Sequence, residues 1–258
     1  MERIDYRESG HLAIIELCRP DKRNAFDSLM LRELAEAYTR FEETPTVRCA
    51  LLCARGDHFT GGLDLGEVGP RVAAGQSLFP LDAVDPFDLG RRRRTKPVVA
   101  ALNGYCLTIG VELALAADVR IASDDCTMSQ IEVARGIYPF GGATLRFPQV
   151  AGWSNAMRWL LTGDFWGANE ALRMGLVSEL TPADKLRDRA TQIAKTIAAQ
   201  APLAVRATLA SAKAAITDGF DCEAKRLTER AMKLFETADA AEGMRSFLER
   251  RTAVFSGE

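Results

Sequence analysis

Histidine is scarce in this chain. Only His11 and His58 occur among 258 residues, so a histidine-built metal centre or proton shuttle has little from which to be made. Both read as surface or loop residues, and no metal site is expected. An excess of one charge is missing too. Lys and Arg number 33 against 35 Asp and Glu, and the formal charge of −2 gives no whole-protein field to draw in nucleic acid or an anionic membrane. None of the six cysteines forms a C-x-x-C pair. Most lie in apolar stretches, where a thiol behaves as a small hydrophobe, and they read as reduced core residues of a reducing compartment. The opening MERIDYRESGH has no apolar run behind a basic segment, so no signal peptide is expected and the chain is assigned to the cytoplasm. Pro97 to Val119 is long enough for a membrane span, but Asn103, Gly104, Glu112 and Asp118 interrupt it.

What is present is enough to fold. With 47% hydrophobic residues the chain can bury a full core. Residues 2–7 and 11–18 read as two strands joined at Ser9-Gly10, because aliphatic residues fill the second run. Ser28 to Phe41 carries apolar residues at near-helical spacing behind Asp27 or Ser28 as N-cap. Val47 to Ala54, Pro97 to Leu102 and Val119 to Ser123 read as buried strands, Gly104 to Thr108 as a turn, Gly110 to Ala117 as an unusually apolar helix, and Thr127 to Ser129 as a short strand. Strand and helix alternate, which predicts parallel βαβ construction. Residues 64–96 show only patchy periodicity, with one helix expected near their end. Beyond Gly152 helices are predicted over 153–162, 167–174, 182–200, 202–217, 221–236 and 239–250, with Pro182 and Pro202 placed at helix starts.

Three segments can carry chemistry. The first, GDHFTGGLDL at 56–65, follows a strand; its paired glycines let backbone N–H groups approach a ligand, though such a turn is more often only a turn. The second, NGYCLTIGVEL at 103–113, is a strand-to-helix junction whose first N–H groups can face an anionic oxygen. Glu112 sits there among apolar neighbours. It is either an acid favoured by the helix dipole or a carboxylate whose pKa burial raises toward acid–base use. The third, SQIEVARGIYPFGGAT at 129–144, carries Glu132; pattern alone favours a solvent-facing acid paired with Arg135.

In their order and spacing these segments resemble the enoyl-CoA hydratase/isomerase (crotonase) family. Its corresponding pieces are an F-x-x-G-x-D-[LI] loop, an N-G-x-x-x-G-G-G-x-E-L helix start and a P-E-x-x-x-G-x-x-P-G turn. The R-P-x-x-x-N-A element at Arg19 to Ala25, Ala117-Asp118, the run from Thr162 to Val177, and the tail elements at Ala240 to Gly243 and Phe247 to Arg250 fit as well, so the resemblance spans nearly the whole chain. It implies an α/β, crotonase-like spiral of ββα units over 1–200 and a C-terminal helical region over 201–258 that packs subunits into a trimer or a dimer of trimers. It further implies an acyl-CoA thioester substrate, with coenzyme A as part of that substrate and no separate cofactor. The backbone N–H groups of Leu63 and Ile109 would form an oxyanion hole, Glu112 would chiefly activate water and Glu132 chiefly deliver a proton. Lys22, Ala25, Gly61, Gly62, Asp64, Leu65, Gly66, Gly110 and Phe140 would contact the CoA or the acyl group.

Two departures mark the chain. Thr108 and Ile109 replace glycines usual in the family, and Phe140-Gly141-Gly142-Ala143 stands where Gly-Ala-Gly-Gly is common. The resemblance implies hydration of a 2-enoyl-CoA first and double-bond isomerisation second, the latter needing only one positioned base. A non-catalytic acyl-CoA-binding or scaffold role is disfavoured by the intact carboxylate pair. RNA binding, suggested by the run Arg91 to Arg94, lacks an aromatic platform, and such a run is more often a solvated face or subunit contact.

Overall fold

The computed structural model describes residues 1–258. Nine strands are present: β1 (Ile4–Ser9), β2 (Leu12–Leu17), β3 (Cys49–Ala54), β4 (Val98–Leu102), β5 (Tyr105–Leu107), β6 (Val119–Ser123), β7 (Thr127–Ser129), β8 (Phe165–Gly167) and β9 (Glu179–Thr181). The α-helices are α1 (Ser28–Glu43), α2 (Leu65–Ala73), α3 (Ile109–Ala116), α4 (Ala143–Ala151), α5 (Trp153–Thr162), α6 (Ala168–Arg173), α7 (Ala183–Ala198), α8 (Pro202–Thr217), α9 (Phe220–Ala224), α10 (Leu227–Phe235) and α11 (Ala238–Glu249). No helix is long and apolar enough to cross a membrane.

Six strands form one sheet in the order β1-β2-β3-β4-β6-β9, and β5-β7-β8 form a second. Only the β1/β2 hairpin is antiparallel in the larger sheet. Its parallel centre is covered on both faces, which is why β3 and β4 read as unbroken aliphatic runs rather than alternating ones. One face packs on α1, α3 and α4 through a core that includes Phe26, Leu34, Phe41 and Phe147. The other packs on α7 through Leu186, Ala190, Ala194 and Ala198, spaced to keep one stripe of that helix on the sheet. α1 starts where expected: Asp27 caps it by accepting from the Met30 N–H at 2.8 Å.

Several expectations are corrected. The helix within 64–96 lies at the start, as α2, not near the end; Gly66, Gly69 and Pro70 inside it had hidden its period. The residues expected as a turn at 104–108 contain β5, which pairs with β7 in a three-residue ladder too short to show alternation. Helix α4, with Pro148 inside it, follows the Gly-Gly turn where none was predicted. Beyond Gly152 the chain is not purely helical, because β8 and β9 return to the two sheets, and the span 221–236 is split into α9 and α10.

The arginine run is not a uniform basic face. Arg94 is buried and donates to Asp118 at 2.6 Å and to the carbonyls of Ala116 and Lys96 at 2.5 and 2.8 Å. Asp118 also accepts from the Val98 N–H at 2.8 Å, so this ion pair ties the end of α3 to the start of β4. Arg92 pairs with Glu43, leaving Arg91 and Arg93 to solvent. All six cysteines are free, and Cys49, Cys53, Cys106 and Cys126 are buried. His11 is exposed, whereas His58 is half-buried, stacked on Tyr105 with ring centres 4.6 Å apart.

Candidate active site

Glu112 is placed by a helix that is buried on every side. All eight residues of α3, Ile109 to Ala116, are buried, which explains why the segment is apolar all round rather than amphipathic. The helix begins at Thr108, whose backbone is held at φ 49° and ψ −111°, a region that a β-branched residue avoids. Three hydrogen bonds hold it there: its N–H donates to the Ser129 carbonyl at 2.9 Å, and its carbonyl accepts from the Glu112 N–H and from Gln130 Nε2, both at 3.2 Å. Gly62, at φ 107°, lies directly against the Thr108 side chain, and a Cβ there would sit 2.6 Å from Thr108 Oγ1. The FTGGL loop and the start of α3 are therefore locked together by a close approach that only glycine permits.

Glu132 comes from the other side, on a 3-10 turn over Ile131–Arg135. Pattern alone favoured a solvent-facing acid paired with Arg135; instead its side chain is buried and forms no ion pair, while Arg135 is exposed. The turn itself is solvent-facing, but its first residues fold inward beneath α5, so burial here was decided by tertiary contact. Glu112 Oε1 accepts from the Gly141 N–H at 2.6 Å and the Ala143 N–H at 3.3 Å. Gly141 cannot carry a side chain, because a Cβ would collide with Glu112 Oε2 and meet the Phe87 ring at 2.5 Å. Glu132 Oε2 has no hydrogen-bond partner.

Burial pushes Glu112 up to about 7; the Ala143 and Gly141 amides oppose the rise and the Glu132 charge adds to it. Burial likewise raises Glu132 to about 7. Both carboxyls therefore hold a proton more readily than a solvated glutamate does.

One cavity of about 80 Å³ brings together Glu112, Glu132, Leu63, Ile109, Gly61, Leu65 and Phe140, with Thr108 and Leu78 also on its wall. Leu63 N–H has no acceptor within the protein, and Ile109 N–H is the first amide of α3, with no carbonyl one turn back inside the helix. The remaining expected contacts do not line this cavity. Gly110 packs on Thr60, Gly62 on Thr108, Asp64 pairs with Arg19 at 3.1 Å, and Lys22, Ala25 and Gly66 lie outside it toward solvent. Gly141, Ala143 and Leu78 were not foreseen as site residues; the glycines of FGG were the only local signal for the first. Elsewhere Asp5, Glu16 and Cys18 lie close enough to share an ion, but Glu16 is already matched by Arg7, Arg55 and Arg187.

Two buried carboxyls thus face one small cavity beside the amides of Leu63 and Ile109, on a parallel-stranded core. The enoyl-CoA hydratase/isomerase family profile matches residues 7–258, and the chain belongs to that family. It is 32% identical to enoyl-CoA hydratase EchA19 of Mycobacterium tuberculosis, over 95% of this chain and 93% of that protein. It is 34% identical to crotonyl-CoA hydratase of Syntrophomonas wolfei, over 98% of each. Its structure superposes with a TM-score of 0.96 on a probable enoyl-CoA hydratase/isomerase from Mycobacterium abscessus, 47% identical, covering 100% of this chain and 99% of the other. The crotonase fold expected from the resemblance is thus the fold found.

Proposed function

We propose that this enzyme is an enoyl-CoA hydratase that adds water across the 2,3 double bond of a 2-enoyl-CoA to give a 3-hydroxyacyl-CoA. The observation that carries the reading is the meeting of Glu112 and Glu132, both lifted to about 7, in one apolar cavity walled by Leu63 and Ile109. The thioester oxygen takes the two N–H groups, which draw electron density from the double bond and stabilise the charge that develops as the β-carbon is attacked; each such donor is worth about 2.7–4 kcal/mol in comparable sites. Ionised Glu112, its Oε1 held by the Gly141 and Ala143 amides, takes a proton from water as the oxygen bonds to C3. Protonated Glu132 gives its proton to C2. The product leaves with both atoms of hydrogen accounted for, and the pair returns to its one-proton state by exchange between the carboxyls.

In this reading the backbone at 61–66 runs along the pantetheine at the cavity mouth, with Lys22 and Ala25 toward the nucleotide, and the bound coenzyme A is substrate rather than cofactor. We also assign residues 1–200 to binding and catalysis and 201–258 to subunit packing in a trimer or dimer of trimers. Helices α8 and α10 bury no residue within one protomer, while Phe220, Phe235 and Phe247 are 78%, 73% and 82% exposed, which supports that assignment. Cytoplasmic location is part of the same proposal.

The test is loss of the conjugated thioester absorbance with 2-enoyl-CoA substrates, with the product identified as the 3-hydroxyacyl-CoA, on wild type, Glu112→Gln and Glu132→Gln. Hydration that fails in both variants supports the reading; hydration that survives both removes it. Double-bond isomerisation is the second reading, favoured by the unpartnered Glu132 Oε2, since a single free carboxylate can carry a proton between carbons. Conversion of a 3-enoyl-CoA that needs Glu132 and not Glu112 would establish it.

A further inference from the structure

The cavity that holds the two glutamates is small, about 80 Å³. Immediately beyond it lies a second chamber of about 410 Å³, apolar along Val72, Phe79, Phe87 and Leu89 and polar at its rim through Gln76 and Arg91. Two side chains, Leu78 and Phe140, border both spaces. We propose that Phe140, with Leu78, is the partition that sets the upper size of the acyl group, and that the second chamber, which opens to solvent on its far side, is latent room for a longer or aromatic acyl tail.

The inference rests on the acyl-CoA reading of the site and adds the determinant of chain length. Phe140 precedes Gly141, whose N–H is bonded to Glu112 at 2.6 Å, so the backbone carrying the ring is fixed relative to the reacting carboxylate. The chamber's far side is fixed as well. Asp85 accepts from the N–H groups of Phe87, Leu89 and Gly90 at 2.9, 3.0 and 2.5 Å, and Arg146 Nη2 donates to the Phe87 carbonyl at 2.7 Å. The Phe79 and Phe87 rings meet edge to face at 5.0 Å, and Phe87 is wedged against Gly141. Phe140 and Leu78 are the two side chains common to both spaces, and both are only half-buried. A tail that must pass the partition displaces an ordered ring. Each methylene that finds no room forfeits on the order of tenfold or more in discrimination.

The experiment compares crotonyl-CoA with trans-2-decenoyl-CoA by kcat/KM, using wild type, Phe140→Ala and Leu78→Ala. The expected result is a wild type favouring the four-carbon substrate, with the ten-to-four-carbon ratio rising at least about tenfold in Phe140→Ala and by a smaller factor in Leu78→Ala. A ratio unchanged in both variants, or a wild type that already processes the ten-carbon substrate as well as the four-carbon one, overturns the partition. Calorimetric binding of butyryl-CoA and decanoyl-CoA to the same proteins separates this outcome from failure of the hydratase reading. If no enoyl-CoA is turned over, the binding ratio must still shift toward decanoyl-CoA in Phe140→Ala, and its failure to shift overturns the partition independently of the reaction.

Discussion

Burial raises both carboxylates, each to about 7, within differently built walls. Glu112 stands on a helix whose every residue is buried, and its carboxylate is pinned by two amides from the turn before α4. Glu132 stands on a 3-10 turn whose end is exposed, as are the residues after it as far as Tyr138, and one of its oxygens has no partner. The same desolvation thus acts on one rigidly positioned group and on one that a small movement of a surface turn can reorient. A similar rise in pKa does not imply equal preorganisation, and the wall decides how much displacement each group tolerates.

The largest expected effect sharpens that contrast. Glu112→Asp withdraws its carboxylate from the Gly141 and Ala143 amides and should lower kcat about 100-fold or more, as a misplacement near 1 Å does in other enzymes, whereas Glu132→Asp should lose only about tenfold because its turn can follow. Steady-state hydration kinetics measure both, and equal losses would erase the distinction between the walls. Next, Gly141→Ala forces a methyl against Glu112 and Phe87; it should destabilise the protein by about 1–3 kcal/mol in a denaturant melt and reduce kcat, with no comparable cost for Gly136→Ala on the opposite wall beyond that of its own φ of 75°.

The third prediction concerns pH. A carboxyl raised from 4.5 to about 7 on folding binds its proton more tightly in the native state, so its contribution is fully favourable below the unfolded pKa and is lost as pH rises through about 7. Glu112→Gln should therefore gain thermal stability relative to wild type at pH 8 compared with pH 5, by a margin on the order of 3 kcal/mol. Melting curves at the two pH values check it, and a pH-independent difference would contradict the burial of a charge. The smallest effect belongs to Thr108→Gly, which relieves the positive φ and should raise stability by about 1 kcal/mol, the strain of such a residue less the chain entropy glycine adds.

The motifs most legible in the sequence are those whose physical requirement is local. The FTGGL loop, the apolar run around Glu112 and the buried strands β3 and β4 announce themselves, because a tight turn, a buried helix and a doubly covered strand each dictate residue types over a few positions. Strands of three residues such as β5 and β8 are too short to display a period. Helix α2 was obscured by its own glycines and proline, and Arg94 looked like one of four equivalent surface charges until Asp118 folded against it.

By itself, then, the sequence determined the parallel α/β core, the two glutamates and the two glycine-rich turns, since local chemistry and side-chain pattern specify each of them. Tertiary structure alone decided that Glu132 is buried, that Gly141 and Ala143 hold Glu112 across 29 and 31 positions of chain, and that Leu78 and Phe140 border the cavity of the two glutamates. The reason is physical: desolvation, hydrogen bonding and steric closure depend on distance in space, and residues far apart along the chain leave no periodic trace of the neighbours that folding will give them.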